Sequence, residues 1–315
     1  YVILNPKVKI NSRYFHYLYR TKFYNNYSRR YSYGIVDDQL SLRYTDFKRM
    51  YSIVPPLDVQ NRIVAFLDKK NEEIDKFIRN KERLIELLEE EKGVIIDQLV
   101  GIEDCQNYPL KYICSMITDG SHFSPTTLPE GKNYVSVSDI GKNDDLSLDN
   151  CKKISENDFR MLERNGCRPS ENDILLTKDG TIGRAFIVKE RNDFVVLSSL
   201  GILRPDKRKV NPILLRYLLI APSCVMQMKS KLQGSALTRL TLSIIKNLGV
   251  AIPIYIENQV KVAEEIEKKH RIINTAISKA EKEISIIKNN KRKVYSNLKK
   301  IVYITNREKC SDVCG

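Results

Sequence analysis

The sequence predicts an α+β protein, a globular mixed α/β domain flanked by two long helices. Three observations predict it: a seven-residue apolar repeat in 259–303, a looser helical stripe in 58–99, and short β-rich runs between them. The repeat is the stronger signal. Ile266, Ile273, Ala280, Ile287, Val294 and Ile301 recur every seven residues, and Ile277, Ile284 and Leu298 fall four residues after members of that series. His270 and Lys291 are its polar exceptions. Such a stripe is the seam of a coiled coil. In 58–99 the stripe runs through Ile63, Leu67, Ile74, Phe77, Leu84, Leu88 and Ile95, interrupted by Lys70, Lys81 and Glu91. Each helix would run about 60–70 Å at 1.5 Å per residue, too long for a small domain alone, so the expected partner of each is the other. Two unrelated helical arms would satisfy the same pattern.

Both helices are approached in the same way, which reveals an internal repeat at an offset close to 200 residues. RYFHYLYRT (13–21) and LSLRYTDFKRMYSIVPPLDVQNRI (40–63) precede the first helix. PILLRYLLI (212–220) and LTRLTLSIIKNLGVAIPIYIENQV (237–260) precede the second. In each copy a proline-apolar pair is followed by Gln60 or Gln259 and then by the helix; proline commonly starts helices. Between them, YVSVSDI (134–140), DILLTKD (173–179), AFIVKE (185–190) and FVVLSSLGILRP (194–205) read as strands, with helix returning from Asn211 to Lys231.

Composition excludes several classes. The 315 residues are 42% hydrophobic, enough for an ordinary core and too many for whole-chain disorder. No apolar run approaches the ~18 residues of a membrane span. Seven scattered cysteines without a CxxC pair support neither zinc nor a disulfide framework, and suggest reduced thiols in the cytoplasm. The net charge of +14 calls for a polyanionic partner. The excess is greatest in residues 1–51, with 10 Lys+Arg against 3 Asp+Glu. That segment also carries Tyr24, Tyr27, Tyr31 and Tyr33 beside Arg29 and Arg30; stacking on nucleic acid is one use, and packing against a domain part not in the chain is the expected one. The chain opens at Tyr1 and reads as a fragment.

Three polar loops stand out: ITDGSHFSP (117–125), LLTKDGTIGRA (175–185) and LQGSALTRLT (232–241). Glycine permits close backbone approach, hydroxyls and amides donate to phosphate, and Lys or Arg reaches guanine acceptors. Ordinary surface turns have the same composition. Catalysis has no anchor. KDGTIG (178–183) is not a phosphate-binding P-loop, and His16, His122 and His270 lack metal-site spacing. NPKV and NPIL lack the aromatic partner of a base-flipping methyltransferase site.

This arrangement resembles the specificity subunit of type I restriction–modification systems. The resemblance rests on Gly234–Thr241, Val250–Pro253 and Pro55-Pro56-Leu57-Asp58-Val59-Gln60 with Ile63 and Leu67, and on ITDGSH, YVSVSDI and LLTKDGTIGRA, all in the family's order. It implies target-recognition domains that each read half of a split site in double-stranded DNA. It further implies two long helices paired as an antiparallel coiled coil, which spaces the half-sites and holds methyltransferase subunits. A restriction/translocase subunit would join the complex, and the chain itself would need no cofactor. The implied boundaries are 1–56 for the end of a first recognition domain, 57–100 and 257–304 for the helices, 101–256 for a complete recognition domain, and 305–315 for a tail. The near-absence of the first domain and IPIYIENQ in place of PPL-x-x-Q depart from the family pattern; a half-subunit acting as a homodimer would explain the first. The DNA-contacting candidates are Ser121, His122, Lys178, Thr181, Arg184, Ser235, Thr238 and Arg239. The helix faces around Glu72, Glu89 and Lys279 are candidate methyltransferase contacts. The competing class is a nucleic-acid-binding coiled-coil scaffold with no methyltransferase partner.

Overall fold

The computed structural model describes residues 5–34, 41–141, 146, 148–189, 193–232, 239–301 and 307–309. They form two compact units, Tyr1–Glu86 with Ala276–Gly315 and Leu87–Thr275.

The first unit begins with α1 (Ser12–Tyr19) and α2 (Lys22–Arg29). Asn11 and Thr21 cap them, their side-chain oxygens accepting from Arg13 N and Tyr24 N. Then come α3 (Tyr44–Phe47), β1 (Tyr51–Ile53) and the start of α4 (Leu57–Gly101). Tyr14, Phe15, Tyr17, Leu18 and Tyr24 bury themselves against Ile63, Val64 and Leu67 of α4. The hydroxyl of Tyr14 donates to Ile53 O at 3.0 Å and that of Tyr24 to Tyr51 O at 2.7 Å. This corrects the expectation for Tyr24; Tyr27 and Tyr31 pack partly buried against the same core, and Tyr33 is exposed. A phenol buries area and needs one acceptor, and β1 supplies the acceptors here.

In the second unit α4 leads into β2 (Cys105–Pro109), α5 (Leu110–Ile113), β3 (Cys114–Asp119), β4 (Lys132–Val135), β5 (Lys152–Ile154) and α6 (Glu156–Arg164). There follow β6 (Ile174–Thr177), β7 (Ala185–Ile187), β8 (Phe194–Val196), β9 (Leu200–Pro205), α7 (Pro212–Ile220), α8 (Pro222–Leu232), α9 (Leu242–Lys246) and β10 (Gly249–Pro253). An antiparallel sheet of order β3-β9-β6-β7 faces a mixed sheet of order β5-β4-β8. Strand side chains alternate between faces, so one strand serves two cores. Leu175 and Ile202 point between the sheets with Val135, Phe194 and Val196. Ile174, Leu176 and Leu203 point the other way, to α7 and α8. Tyr134 and Val195 cover the far side of the small sheet with Phe159 and Leu162 of α6. The run FVVLSSLGILRP is therefore two strands in two sheets, broken at Leu197–Ser199. YVSVSDI likewise ends in a 3-10 turn at Val137–Asp139, held by the Asp139 carboxylate on Ser136 N.

The last long element, α10 (Ile256–Ile301), pairs antiparallel with α4: partner numbers fall along α10 as they rise along α4. In the second unit Asn258 donates to Glu103 and His270 to Lys92 O, with Ile96, Val100, Val262, Ala263 and Ile266 buried. In the first unit Lys81 meets Glu283 at 2.7 Å and Lys291 meets Asp75 at 2.6 Å, with Ile277, Ala280 and Ile284 buried. The polar exceptions in the α10 seam thus each have a partner on α4. The α4 stripe itself needs correction. Phe77 and Leu84 are exposed, while Ile96, rather than Ile95, is buried. A helix of 3.6 residues per turn drifts about 20° per heptad against a fixed seven-residue reading.

The internal repeat is reproduced in two hydrogen bonds of each glutamine. Gln60 Oε1 accepts from Asn11 N at 2.9 Å and its Nε2 donates to Pro55 O at 2.8 Å. Gln259 Oε1 accepts from Asn211 N at 2.8 Å and its Nε2 donates to Pro253 O at 2.9 Å. Both glutamines are buried. The strand before each long helix pairs with the strand after the other: β10 with β2, and β1 with β11 (Arg307–Lys309).

His270 carries a pH signature. Its ring is buried edge-on to Tyr217 at 5.1 Å, with Nε2 2.9 Å from Lys92 O. Burial holds its pKa below the ordinary imidazole value, because the charged form loses hydration there. The unfolded chain therefore takes up the proton first. The resulting stability is complete above about pH 6.5 and is lost as pH falls from there toward the lowered folded value. Urea midpoints at pH 7.5 and 5.5 check this: His270→Gln is expected to show a smaller decline than the parent. Equal declines would remove His270 from the account.

Candidate nucleic-acid interface

Two of the polar loops and the described end of the third, from Arg239 on, are tied into one platform at the end of the four-stranded sheet. Asp119 closes β3, and its Oδ2 lies 3.1 Å from Lys178 Nζ and 3.0 Å from His122 Nε2. One carboxylate oxygen thus joins the first loop to the second. The third joins through Leu240 N, which donates to Lys178 O at 2.9 Å, and through Arg239 Nε, 2.6 Å from Asp179 Oδ1. Lys178 N donates in turn to Ser199 O at 3.0 Å, anchoring the platform to the break between β8 and β9.

Local geometry explains the Asp-Gly and Thr-Lys-Asp-Gly sequences. At Gly120 a Cβ would run into the carbonyls of Val196 and Leu197, so only glycine admits the close approach. Gly180 and Gly183 take φ of +68° and +89°, the left-handed region that favours glycine. Thr177 Oγ1 spans their turn, donating to Thr181 O at 2.5 Å and accepting from Arg184 N at 3.0 Å.

The candidate residues separate by exposure. The His122 side chain is 65% exposed and that of Arg239 46%. Thr181 is exposed as well. Arg184 is half-buried, its guanidinium donating to Ile140 O at 3.1 Å and to Gly141 O. Ser121 is turned inward: its hydroxyl donates to Phe123 O at 2.8 Å and accepts from Phe123 N at 3.0 Å. Lys178 is 3% exposed. A lysine enclosed and paired with a carboxylate spans the interior of the platform and presents no charge to a duplex. Its structural role differs from the surface contact expected of it. Ser235 and Thr238 lie outside the described residues.

Sequence reasoning missed Asp119 and Asp179 as the joining carboxylates, since Asp-Gly in each loop reads simply as a turn. It also gave no sign of Ser199, whose buried Oγ lacks a hydrogen-bond partner among the described residues. Burial pushes the thiols of Cys114 and Cys224 up to about 12, so they stay protonated. Among the described residues the cysteines are free, no group of acidic, His and Cys side chains has metal-site geometry, and no helix is long and apolar enough to cross a membrane.

A family model described as the type I restriction modification DNA specificity domain matches residues 102–285. The specificity subunit of the type I restriction enzyme EcoBI of Escherichia coli is 29% identical over 143 residues, 45% of this chain and 29% of that protein. The aligned stretch is therefore under a third of that relative's length. Among solved structures, one concerning complex assembly and conformational transition of the type I R-M system aligns with a TM-score of 0.57 at 15% identity, over 77% of this chain and 59% of the other. The HsdS subunit from Thermoanaerobacter tengcongensis aligns with a TM-score of 0.49 at 15% identity, over 92% and 69%.

Proposed function

The chain belongs to the type I restriction–modification DNA specificity family, and from that premise we propose that its second unit reads one half of a bipartite site in double-stranded DNA. One observation carries the proposal: two loops of suitable chemistry and the described end of a third are joined by Asp119, Lys178 and Asp179 into a platform that leaves His122, Thr181 and Arg239 exposed. Preorganised donors on a rigid support favour base-edge reading, since little ordering remains to be done on binding. Arg184 stiffens the rim through its carbonyl contacts. Ser235 and Thr238 complete the third loop's hydroxyl donors in this reading.

The paired helices α4 and α10 dock methyltransferase subunits, using faces around Glu72, Glu89 and Lys279, and a restriction/translocase subunit joins the assembly. Catalysis belongs to those partners. The test begins by selecting duplexes from a random pool with the full chain and sequencing those retained. Arg239→Ala is expected to weaken the enriched duplex about tenfold to a hundredfold, the 1–3 kcal/mol of a base contact, and to relax preference at one position. Failure of the pool to enrich any sequence would refute half-site reading. Capture of an adenine or cytosine amino-methyltransferase at fixed stoichiometry supports docking, and its absence from the intact locus's complex supports the free scaffold instead.

A further inference from the structure

Resting on half-site reading by the second unit, we propose that His122 recognises the exocyclic amino group of an adenine or a cytosine in the major groove, through a ring acceptor that Asp119 turns outward. A neutral imidazole carries one donor and one acceptor nitrogen, and the partner of one fixes the role of the other. His122 Nε2 lies 3.0 Å from Asp119 Oδ2. A carboxylate oxygen only accepts, so the proton stands on Nε2 and the lone pair on Nδ1. Lys178 Nζ, 3.1 Å from the same oxygen, already balances the carboxylate's charge, so the ring serves there as a neutral donor. Nδ1 has no hydrogen-bond partner among the described residues, and the side chain is 65% exposed.

The backbone on both sides of the ring is pinned. Ser121 N donates to Val196 O, and Ser121 O accepts from Ser198 N. Phe123 N donates to Ser121 Oγ at 3.0 Å, while Phe123 O accepts from Ser121 Oγ at 2.8 Å and from Tyr134 Oη at 3.2 Å. An outward acceptor on so fixed a support narrows what the residue can touch. Phosphate and sugar oxygens of DNA accept hydrogen bonds and donate none, so a duplex answers an acceptor only with base amino groups. In the major groove these belong to adenine and cytosine; the guanine and thymine oxygens meet Nδ1 lone pair to lone pair. The ring's one N–H is spent on Asp119, which also sets His122 against a phosphate contact. Arg239, 46% exposed, supplies the opposite sense, donors for guanine.

Two measurements on the full chain test this. In a proton–nitrogen correlation spectrum of the imidazoles at about pH 8 there are three histidines to assign, and His122→Phe identifies its signal by loss. Protonated Nε2 and bare Nδ1 are expected; the reverse tautomer overturns the proposal. The second measurement uses duplexes enriched by selection. His122→Phe is expected to weaken them about twofold to tenfold, the worth of one neutral hydrogen bond, and to relax preference at one position with the salt slope unchanged. Replacing the adenine there by unsubstituted purine, or the cytosine by a pyrimidinone without the amino group, should cost the parent the same factor and leave the variant indifferent. Equal costs in both overturn the proposal, as does a slope lowered by about one in the variant, the mark of a phosphate contact. In Asp119→Asn/Lys178→Met the proton should spread to Nδ1 and the amino preference should fall; full retention of both overturns the positioning role of Asp119. A chain that selects no sequence defeats half-site reading and this contact with it. One that selects, with a preference unmoved by His122→Phe, defeats this contact alone.

Discussion

Lys178→Ala is expected to destabilise the second unit by about 3 kcal/mol, the lower end of what removing one partner of a buried ion pair costs. Lys178 Nζ lies 3.1 Å from Asp119 Oδ2, and their side chains are 3% and 15% exposed. Without the ammonium, the Asp119 carboxylate keeps, among the described residues, only the exposed His122 as a charged partner, and it is itself 15% exposed. Asp119→Asn/Lys178→Met removes both charges and should restore most of the loss, since a buried pair is often worth little against neutral groups of similar shape. Urea unfolding of the parent and both variants gives the comparison. The DNA readout separates this role from a phosphate contact. If Lys178 touched phosphate, the double variant would lose about one unit of salt slope; the platform geometry predicts no loss. A single variant as mild as an exposed-lysine change, within about 0.5 kcal/mol, would show that the pair does not hold the loops.

Gln259→Leu should cost at least as much. It keeps the volume but strands Asn211 N–H, Pro253 O and Lys209 O, the last 3.1 Å from Nε2. Each unsatisfied buried backbone group costs about 1–3 kcal/mol, so a loss of about 3 kcal/mol or more is expected. Gln60→Leu strands two groups, Asn11 N–H and Pro55 O, and should cost less. Hydrogen exchange localises the effects: the Asn211 amide should lose protection in the first variant and the Asn11 amide in the second. Unaltered exchange at both would mean that water replaces the glutamines without penalty.

Those glutamines show why so much of the architecture was legible. A side chain that binds a fixed set of backbone groups recurs wherever the same helix start recurs, so Gln60 and Gln259 mark the repeat in the letters themselves. The α10 stripe was legible for a similar reason, because a seam enforces its period over the whole helix. What failed was information that depends on the third dimension. FVVLSSLGILRP reads as one apolar run because both of its halves are buried on both faces, and periodicity cannot show a change of sheet. Lys178 sits in a Lys-Asp-Gly turn that looks exposed, and only the approach of Asp119, 59 positions away, encloses it. Tyr14 and Tyr24 looked partnerless because their partners, the carbonyls of Ile53 and Tyr51, are backbone atoms that any residue carries.

The break between β8 and β9 has a mechanical consequence. Ser121 N donates to Val196 O at 2.8 Å, Ser198 N to Ser121 O at 2.9 Å, and Gly120 N to Leu200 O at 3.1 Å. The His122 turn is thus stitched to the last residue of one layer and to the first residue of the other. A slide of one layer against the other would have to break those bonds or carry the turn that bears His122 with it.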